Sequence, residues 1–311
     1  MDNKPYLSIC IPTYNRLEIL NNTLDSIYAD LNDVNAEDFE IIVSDNEPNH
    51  STKALIDKFN FKNLHYHASN SNGFLNSFDV LKLGNGMFLK LHNNYTMFRK
   101  GSLKKMINEI KENSIEKPLI FYTNGLNQSG DIKRFDSYDA FMYQLSYLSS
   151  WSSGFGVWKE DFESVCNTIE INSYFPQTSL LISQTQKSNY VINDIPIFDN
   201  QDIPKKGGYN IFKVFSVDYV SLIEKVYNRK EISKDTFNKI KKDLLLDYLS
   251  VRYFKTVIVR MDNFEKSNIK ESIEIHYSSR MYYIMIVTAL FAPVKTLIRK
   301  IKMFFYIKSY N

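Results

Sequence analysis

Along residues 6–122 the hydrophobic positions switch back and forth between two periods. Tyr6–Ile11 is a largely apolar run rich in Ile and Leu, as expected of a buried strand; Pro12 and Asn15 end it, and Leu17, Leu20, Leu24 and Ile27 then recur at helical spacing. The alternation continues with Phe39–Val43 as a strand, Leu55, Ile56 and Phe59 on a short helix, and Leu64–His67 as a weaker strand. Phe74, Phe78 and Leu81 mark a further helix, Met87–Leu91 a strand, Leu103, Met106, Ile107 and Ile110 a helix, and Pro118–Tyr122 a strand. Strands alternating with helices over short loops predict an α/β fold with a mostly parallel sheet covered on both faces. Ligands of such sheets bind beyond the carboxyl ends of the strands. That rule singles out three strand exits: Pro12-Thr13-Tyr14-Asn15-Arg16, Ser44-Asp45-Asn46-Glu47 and His92-Asn93-Asn94.

The middle third is less regular, with Trp151-Ser152-Ser153-Gly154-Phe155-Gly156, Tyr174-Phe175-Pro176-Gln177 and Lys205-Lys206-Gly207-Gly208-Tyr209-Asn210 between short apolar runs. From about Phe215 the period turns helical, through Leu222, Val226, Leu244, Leu245, Tyr248 and Leu249. The division expected is an α/β domain over 1–214, a helical extension over 215–275 and an amphipathic basic tail over 276–311.

Charge changes this picture only at the end of the chain. Six Lys/Arg and no Asp or Glu lie between Arg280 and Asn311, which leaves the rest of a +3 chain at a net −3 and argues against a general nucleic-acid surface. Two cysteines, Cys10 inside an apolar run and Cys166, form no metal spacing and no disulfide framework, so a reducing compartment is expected; the polar Met1–Pro5 opening carries no secretory signal. His50, His65, His67 and His276 likewise have no partner at ligand spacing. Aromatic content of 14% suits carbohydrate stacking, although core filling is the commoner use.

The strand exits taken together resemble family 2 glycosyltransferases. Leu7–Arg16 is similar to the opening strand and turn of that family, which line the nucleotide pocket. Here Pro12 stiffens the turn, Tyr14 offers a ring face, and Thr13, Asn15 and Arg16 offer polar groups to a base or phosphate. Ile41–Glu47 resembles the second strand, where Asp45 matches the acid that accepts a base N–H, while Ser44 and Asn46 replace the usual first acid and glycine. Asn72-Gly73, Asn76 and Gly86-Met87-Phe88 match the stretch that follows. The resemblance implies a GT-A fold, a nucleotide-diphosphate sugar donor, and inversion at the anomeric carbon. It extends to the subgroup holding abequosyltransferases and capsular or O-antigen polysaccharide transferases.

At the metal motif the sequence departs. His92-Asn93-Asn94 stands where the family carries Asp-any-Asp, and none of the three bears a formal negative charge at neutral pH. Any Mg²⁺ or Mn²⁺ on His92 and Asn94 is therefore weakly held. Two expectations follow: a metal carried mainly by the diphosphate itself, or cations in its place, for which Lys205 and Lys206 are the candidates. An inverting transfer also calls for a base beside the acceptor hydroxyl. Gln177 occupies roughly the family's position for it but cannot take a proton, which leaves Asp161 as the candidate carboxylate. Trp151, Ser153 and Gly154 are candidates for acceptor binding.

Met281–Val294 is apolar but short for a membrane span, and the cations after it mix with Leu, Ile and Phe. The tail therefore reads as helix lying in an anionic lipid interface, with the chain at the inner face of the cell membrane. A UDP-sugar is the favoured donor, and a polysaccharide or lipid-linked oligosaccharide the expected acceptor. Two rival readings are a nucleotide-sugar-binding protein without turnover and a membrane assembly subunit. A Rossmann oxidoreductase is disfavoured because no Gly-x-Gly-x-x-Gly follows the first strand.

Overall fold

The computed structural model describes residues 4–203, 206–294 and 297–298. The first half runs β1 (Leu7–Thr13), α1 (Leu17–Tyr28), β2 (Phe39–Asp45), α2 (Lys53–Ile56), β3 (Leu64–Ala68), α3 (Asn76–Lys82), β4 (Phe88–Leu91), β5 (Thr96–Phe98) and α4 (Ser102–Glu112). There follow β6 (Leu119–Tyr122), β7 (Ile132–Phe135), α5 (Tyr138–Leu145), β8 (Gly156–Trp158), α6 (Lys159–Val165), α7 (Pro176–Leu181), β9 (Tyr190–Asn193) and β10 (Phe198–Asn200).

Five strands form the central sheet in the order β3-β2-β1-β4-β8. The first four are mutually parallel and β8 runs antiparallel to β4. β1 explains why the sheet needs helices on both faces. Leu7, Ile9 and Ile11 enter one core with α1 and α4, while Cys10 enters the other with α3 and the later helices. Cys10 is fully buried and unpaired, as its apolar context predicted.

The expected Pro118–Tyr122 strand exists as β6, but it belongs to a separate three-stranded sheet, β6-β9-β7. The edge of β4 is taken by β8 instead, where Gly156 leaves room for the Phe88 ring, which a Cβ at that position would overlap.

The remainder is mostly helical and, among the described residues, widens into π geometry three times. One helix runs through Ile211–Lys213, a π segment Val214–Tyr219, and Val220–Asn228, so it passes unbroken through position 214/215. Asn210 caps it, accepting from the Lys213 N–H at 3.0 Å. Another passes through Lys234–Asp243, the π segment Leu244–Leu249, Ser250–Tyr253 and the π segment Phe254–Ile258. Leu222, Val226, Leu244, Leu245 and Leu249 share one core with Phe121 and Leu91 of the α/β part. Two further helices are Ile269–Glu274 and Ser279–Leu290, the second ending in an exposed apolar face. Among the described residues no helix is long and apolar enough to cross a membrane.

Candidate functional site

Amide side chains staple the three strand exits together. The register of β1 and β2 sets Pro12 opposite Ser44 and Thr13 opposite Asp45, so both strands end level. Asn94, just past β4, donates to the Thr13 hydroxyl (2.9 Å), accepts on its side-chain oxygen from Arg16 (3.3 Å), and its carbonyl accepts from Thr23 (2.9 Å). Asn76 closes a pair with Ser44, its Nδ2 donating to the carbonyl at 2.8 Å and its Oδ1 accepting from the hydroxyl at 2.6 Å. Asn46 donates to the carbonyls of Ser71 (3.0 Å) and Gly73 (3.2 Å), drawing the start of α3 against the exit of β2. Asn15 takes a positive φ of 46°, a conformation Asn tolerates better than most residues, and so turns the chain from β1 into α1.

Beyond these exits opens a cavity of about 780 Å³. Pro12, Thr13, Tyr14, Arg16, Asn46 and Gly73 line its first wall, and Asn93, Asn94 and Tyr95 its floor. Trp151, Ser152, Tyr174, Phe175 and Gln177 line the second wall. The third comes from the far end of the chain: Lys206, Tyr209, Phe215, Tyr248, Arg252 and Phe264. Two of the π segments, at Val214–Tyr219 and Leu244–Leu249, contribute to it, in keeping with the frequent placement of π-bulges at functional sites. Its aromatic rings interlock: Phe74 meets Tyr209 edge-on at 5.7 Å, Tyr209 meets Phe264 at 5.2 Å, and Phe215 lies 4.5 Å from Tyr248.

Three cations reach this lining, and no Asp or Glu does among the described residues. The Arg16 guanidinium and the Lys206 ammonium stand 6.0 and 5.0 Å from the centroid of the same Tyr95 ring. Arg252 stacks 5.2 Å from Tyr248 and is anchored by Asp262 at 3.2 Å. Burial, then the nearby Arg252 and Arg16 charges, hold the Lys206 ammonium below the usual lysine range. Burial also pushes the hydroxyls of Tyr95, Tyr209 and Tyr248 upward, so none of them ionises near neutrality.

The sequence-derived candidates divide. Pro12, Thr13, Tyr14, Arg16, Asn46, Gly73, Asn93, Asn94, Trp151, Gln177 and Lys206 meet at one cavity. Asp161 does not: it lies on α6, pairs with Lys187 at 2.5 Å and stands outside the lining. Gln177 donates to the Ser150 carbonyl at 2.8 Å, which fixes its amide at the cavity wall.

Asp45 is fully buried beneath that wall, accepting from the Glu47 N–H (3.0 Å) and the Tyr66 hydroxyl (3.4 Å). Asn15 and Asn72 flank the lining without joining it. Ser153 and Gly154 are buried behind it, where the Ser153 hydroxyl accepts from the Asn93 N–H at 3.0 Å. Lys205 lies outside the described residues. Sequence reasoning missed Arg252, Tyr248 and Phe264, which stand more than 150 residues beyond the β1 and β4 exits that line the same cavity.

The donor set at the metal-motif position does not fit a divalent cation. His92 is fully buried, 2.6 Å from the Thr96 carbonyl through Nε2, and burial pushes its imidazole down to about 3, so it is neutral. Asn94 has already given its side-chain oxygen to Arg16. Among the described residues no group of three or more His, Cys, Asp or Glu is placed to hold a metal.

Residues 8–115 match the sequence model of the family described as Glycosyl transferase family 2. No curated protein matches by sequence. Among solved structures, TarS 1-349 of S. aureus in complex with UDP-GlcNAc aligns with a TM-score of 0.60 at 14% identity, over 94% of this chain and 88% of that one. A longer structure of TarS aligns at 0.55 and 13% identity, and there the match over 94% of this chain spans only 53% of the other. The mannosyltransferase PcManGT from Pyrobaculum calidifontis, in complex with GDP-Man and Mn²⁺, aligns at 0.57 and 11% identity, over 94% and 87% of the two chains. Residues 8–115 therefore resemble Glycosyl transferase family 2, and the mostly parallel central sheet flanked by helices has the GT-A fold of those solved structures.

Proposed function

We propose that the chain moves a sugar from a nucleoside diphosphate, a UDP-sugar in first place, to a hydroxyl of a polysaccharide or lipid-linked oligosaccharide. The observation that carries this reading is the placement of one cavity across the exits of β1, β2 and β4, with Pro12, Thr13, Tyr14, Arg16 and Asn46 on one wall and Trp151, Tyr174 and Gln177 on another. The donor base rests against Tyr14 and Asn46, with Asp45 beneath. The acceptor lies along the aromatic wall.

In the transfer an acceptor O–C1 bond forms and the C1–O bond to the diphosphate breaks, its electron pair leaving on the nucleotide and the acceptor proton passing to solvent. Attack from the face opposite the diphosphate inverts C1. The Gln177 amide orients the acceptor hydroxyl without taking its proton. TarS was solved with UDP-GlcNAc, which supports the choice of donor. Incubation with a panel of nucleoside diphosphate sugars and membrane-extracted lipid acceptors, with mass spectrometry of the product, tests the reading. A glycosylated product supports it, and bound but unconsumed donor favours a nucleotide-sugar-binding protein, a second reading supported by the lack of a carboxylate in the described lining.

Residues 283–308 support a site of action at a membrane surface. Tyr283, Val287, Leu290 and Phe291 are 56–60% exposed, and Lys295, Arg299, Lys300, Lys302 and Lys308 follow in sequence. An apolar helix face followed in sequence by a run of cations suits peripheral binding to the anionic inner face of a cell membrane, where lipid-linked precursors of capsule, O-antigen or teichoic-acid-like polymers reside. Co-sedimentation with phosphatidylglycerol vesicles but not phosphatidylcholine vesicles is expected; equal recovery with both, or none with either, contradicts it.

A further inference from the structure

The donor's diphosphate brings at least two negative charges to the cavity, and the position that would give a divalent ion its carboxylates offers a fully buried imidazole hydrogen-bonded to the Thr96 carbonyl and a committed amide instead. The same cavity gathers cations from three separate parts of the chain. Arg16 comes from the turn after β1, Lys206 from the stretch after β10, and Arg252 from the far helical region. Tyr95 carries the first two on one ring, and the aromatic wall carries the third. Asp262 neutralises Arg252 in part, whereas Lys206 and Arg16 form no ion pair with a described carboxylate. Such repulsive clustering is unfavourable unless an anion occupies the space between the charges.

We propose that Arg16, Lys206 and Arg252 bind the diphosphate of the donor in place of a divalent cation, so that the nucleotide is held and released as a leaving group without a metal. This rests on the transferase reading above and adds the identity of its electrophilic groups. As the C1–O bond breaks, the charge that develops on the terminal phosphate oxygen is met by guanidinium and ammonium groups fixed in advance.

Calorimetric titration of the full chain with UDP, GDP, CDP and dTDP, each beside its monophosphate and its nucleoside, in EDTA and again in MnCl₂, tests the proposal. For the base that binds, the diphosphate is expected to bind in EDTA at least about tenfold more tightly than the nucleoside, since a single charge-assisted contact contributes that much. Manganese changes its Kd by less than about threefold, because the cations already meet the charge. Lys206→Gln weakens diphosphate binding about tenfold, the equivalent of one such contact, and leaves the nucleoside unaffected. Arg252→Gln does the same if it folds. Should it not fold, the salt dependence of the unmodified chain gives the same information: rising NaCl weakens the diphosphate and spares the nucleoside.

A diphosphate that binds only with manganese, or no more tightly than its nucleoside in EDTA, overturns the proposal. An unchanged Kd in Lys206→Gln does so too. If a nucleoside binds but its diphosphate gains nothing, the nucleotide reading survives and the cation assignment fails; if nothing binds, both fail.

Discussion

Gly154 sits at a point where stability and the site are tied together. A methyl group there would overlap the Phe121 ring and lie 2.8 Å from the Tyr122 carbonyl oxygen, both parts of β6 and fully buried. The turn Ser152–Gly154 must therefore move, or β6 must. Overpacking of this kind costs about 1–3 kcal/mol. For a chain of this size that corresponds to a melting temperature lower by about 2–5 °C in Gly154→Ala.

The displacement also reaches the cavity. The Ser152 hydroxyl donates to the Asn93 side chain at 2.8 Å, the Asn93 N–H donates to the Ser153 hydroxyl, and the Lys90 ammonium donates to the Ser153 carbonyl. A shifted turn therefore unseats Asn93 on the cavity floor, and nucleotide affinity should fall along with stability. Differential scanning fluorimetry and nucleotide titration of Gly154→Ala, with Ser152→Ala as a partner, separate the two effects. Ser152→Ala removes one tie without overlap and should leave the melting temperature within about 2 °C, the usual range for a single partly exposed hydrogen bond. A Gly154→Ala protein with unchanged melting temperature and affinity would refute the reasoning.

Two other outcomes follow from buried carboxylates. Asp45→Ala leaves the Glu47 N–H and the Tyr66 hydroxyl without their acceptor and should cost about 1–3 kcal/mol by denaturant titration; no loss would show that neither bond matters to the fold. Burial raises Glu109 from 4.5 to about 6 although Asn193 donates to both its oxygens at 3.0 Å. A carboxyl raised on folding contributes stability below its unfolded pKa and loses it as pH rises through about 6, a change on the order of 2 kcal/mol. Glu109→Gln should therefore gain on the unmodified chain between pH 4.5 and pH 7, the range set by these two values, and a stability difference that does not vary with pH would contradict this.

The strand exits were legible because parallel strands buried on both faces leave long apolar runs, and the residue that breaks each run is the one at the ligand side. That is how Pro12, Asn46 and Asn94 could be found from sequence. The antiparallel return of β8 was not legible: Gly156-Val157-Trp158 is too short to show a period, yet it takes the edge of β4, while the Pro118–Tyr122 strand lies in a separate sheet. Asp161 misled because a carboxylate at the start of a helix looks the same whether it faces a substrate or Lys187. Arg252 escaped for a different reason. It lies among Leu, Tyr and Val at helical spacing, and only tertiary packing, with the help of two π segments, turns that helix towards Tyr95 and Arg16.

The most direct test of the account is the melting temperature of the full chain with UDP, GDP, CDP and dTDP, each in manganese and in EDTA. Ligand at about one hundred times its Kd stabilises the native state by about 2.7 kcal/mol, which is a shift on the order of 5 °C here. The account predicts such a shift with one of the four bases, of equal size in EDTA and in manganese. No shift with any of them in either condition would contradict it.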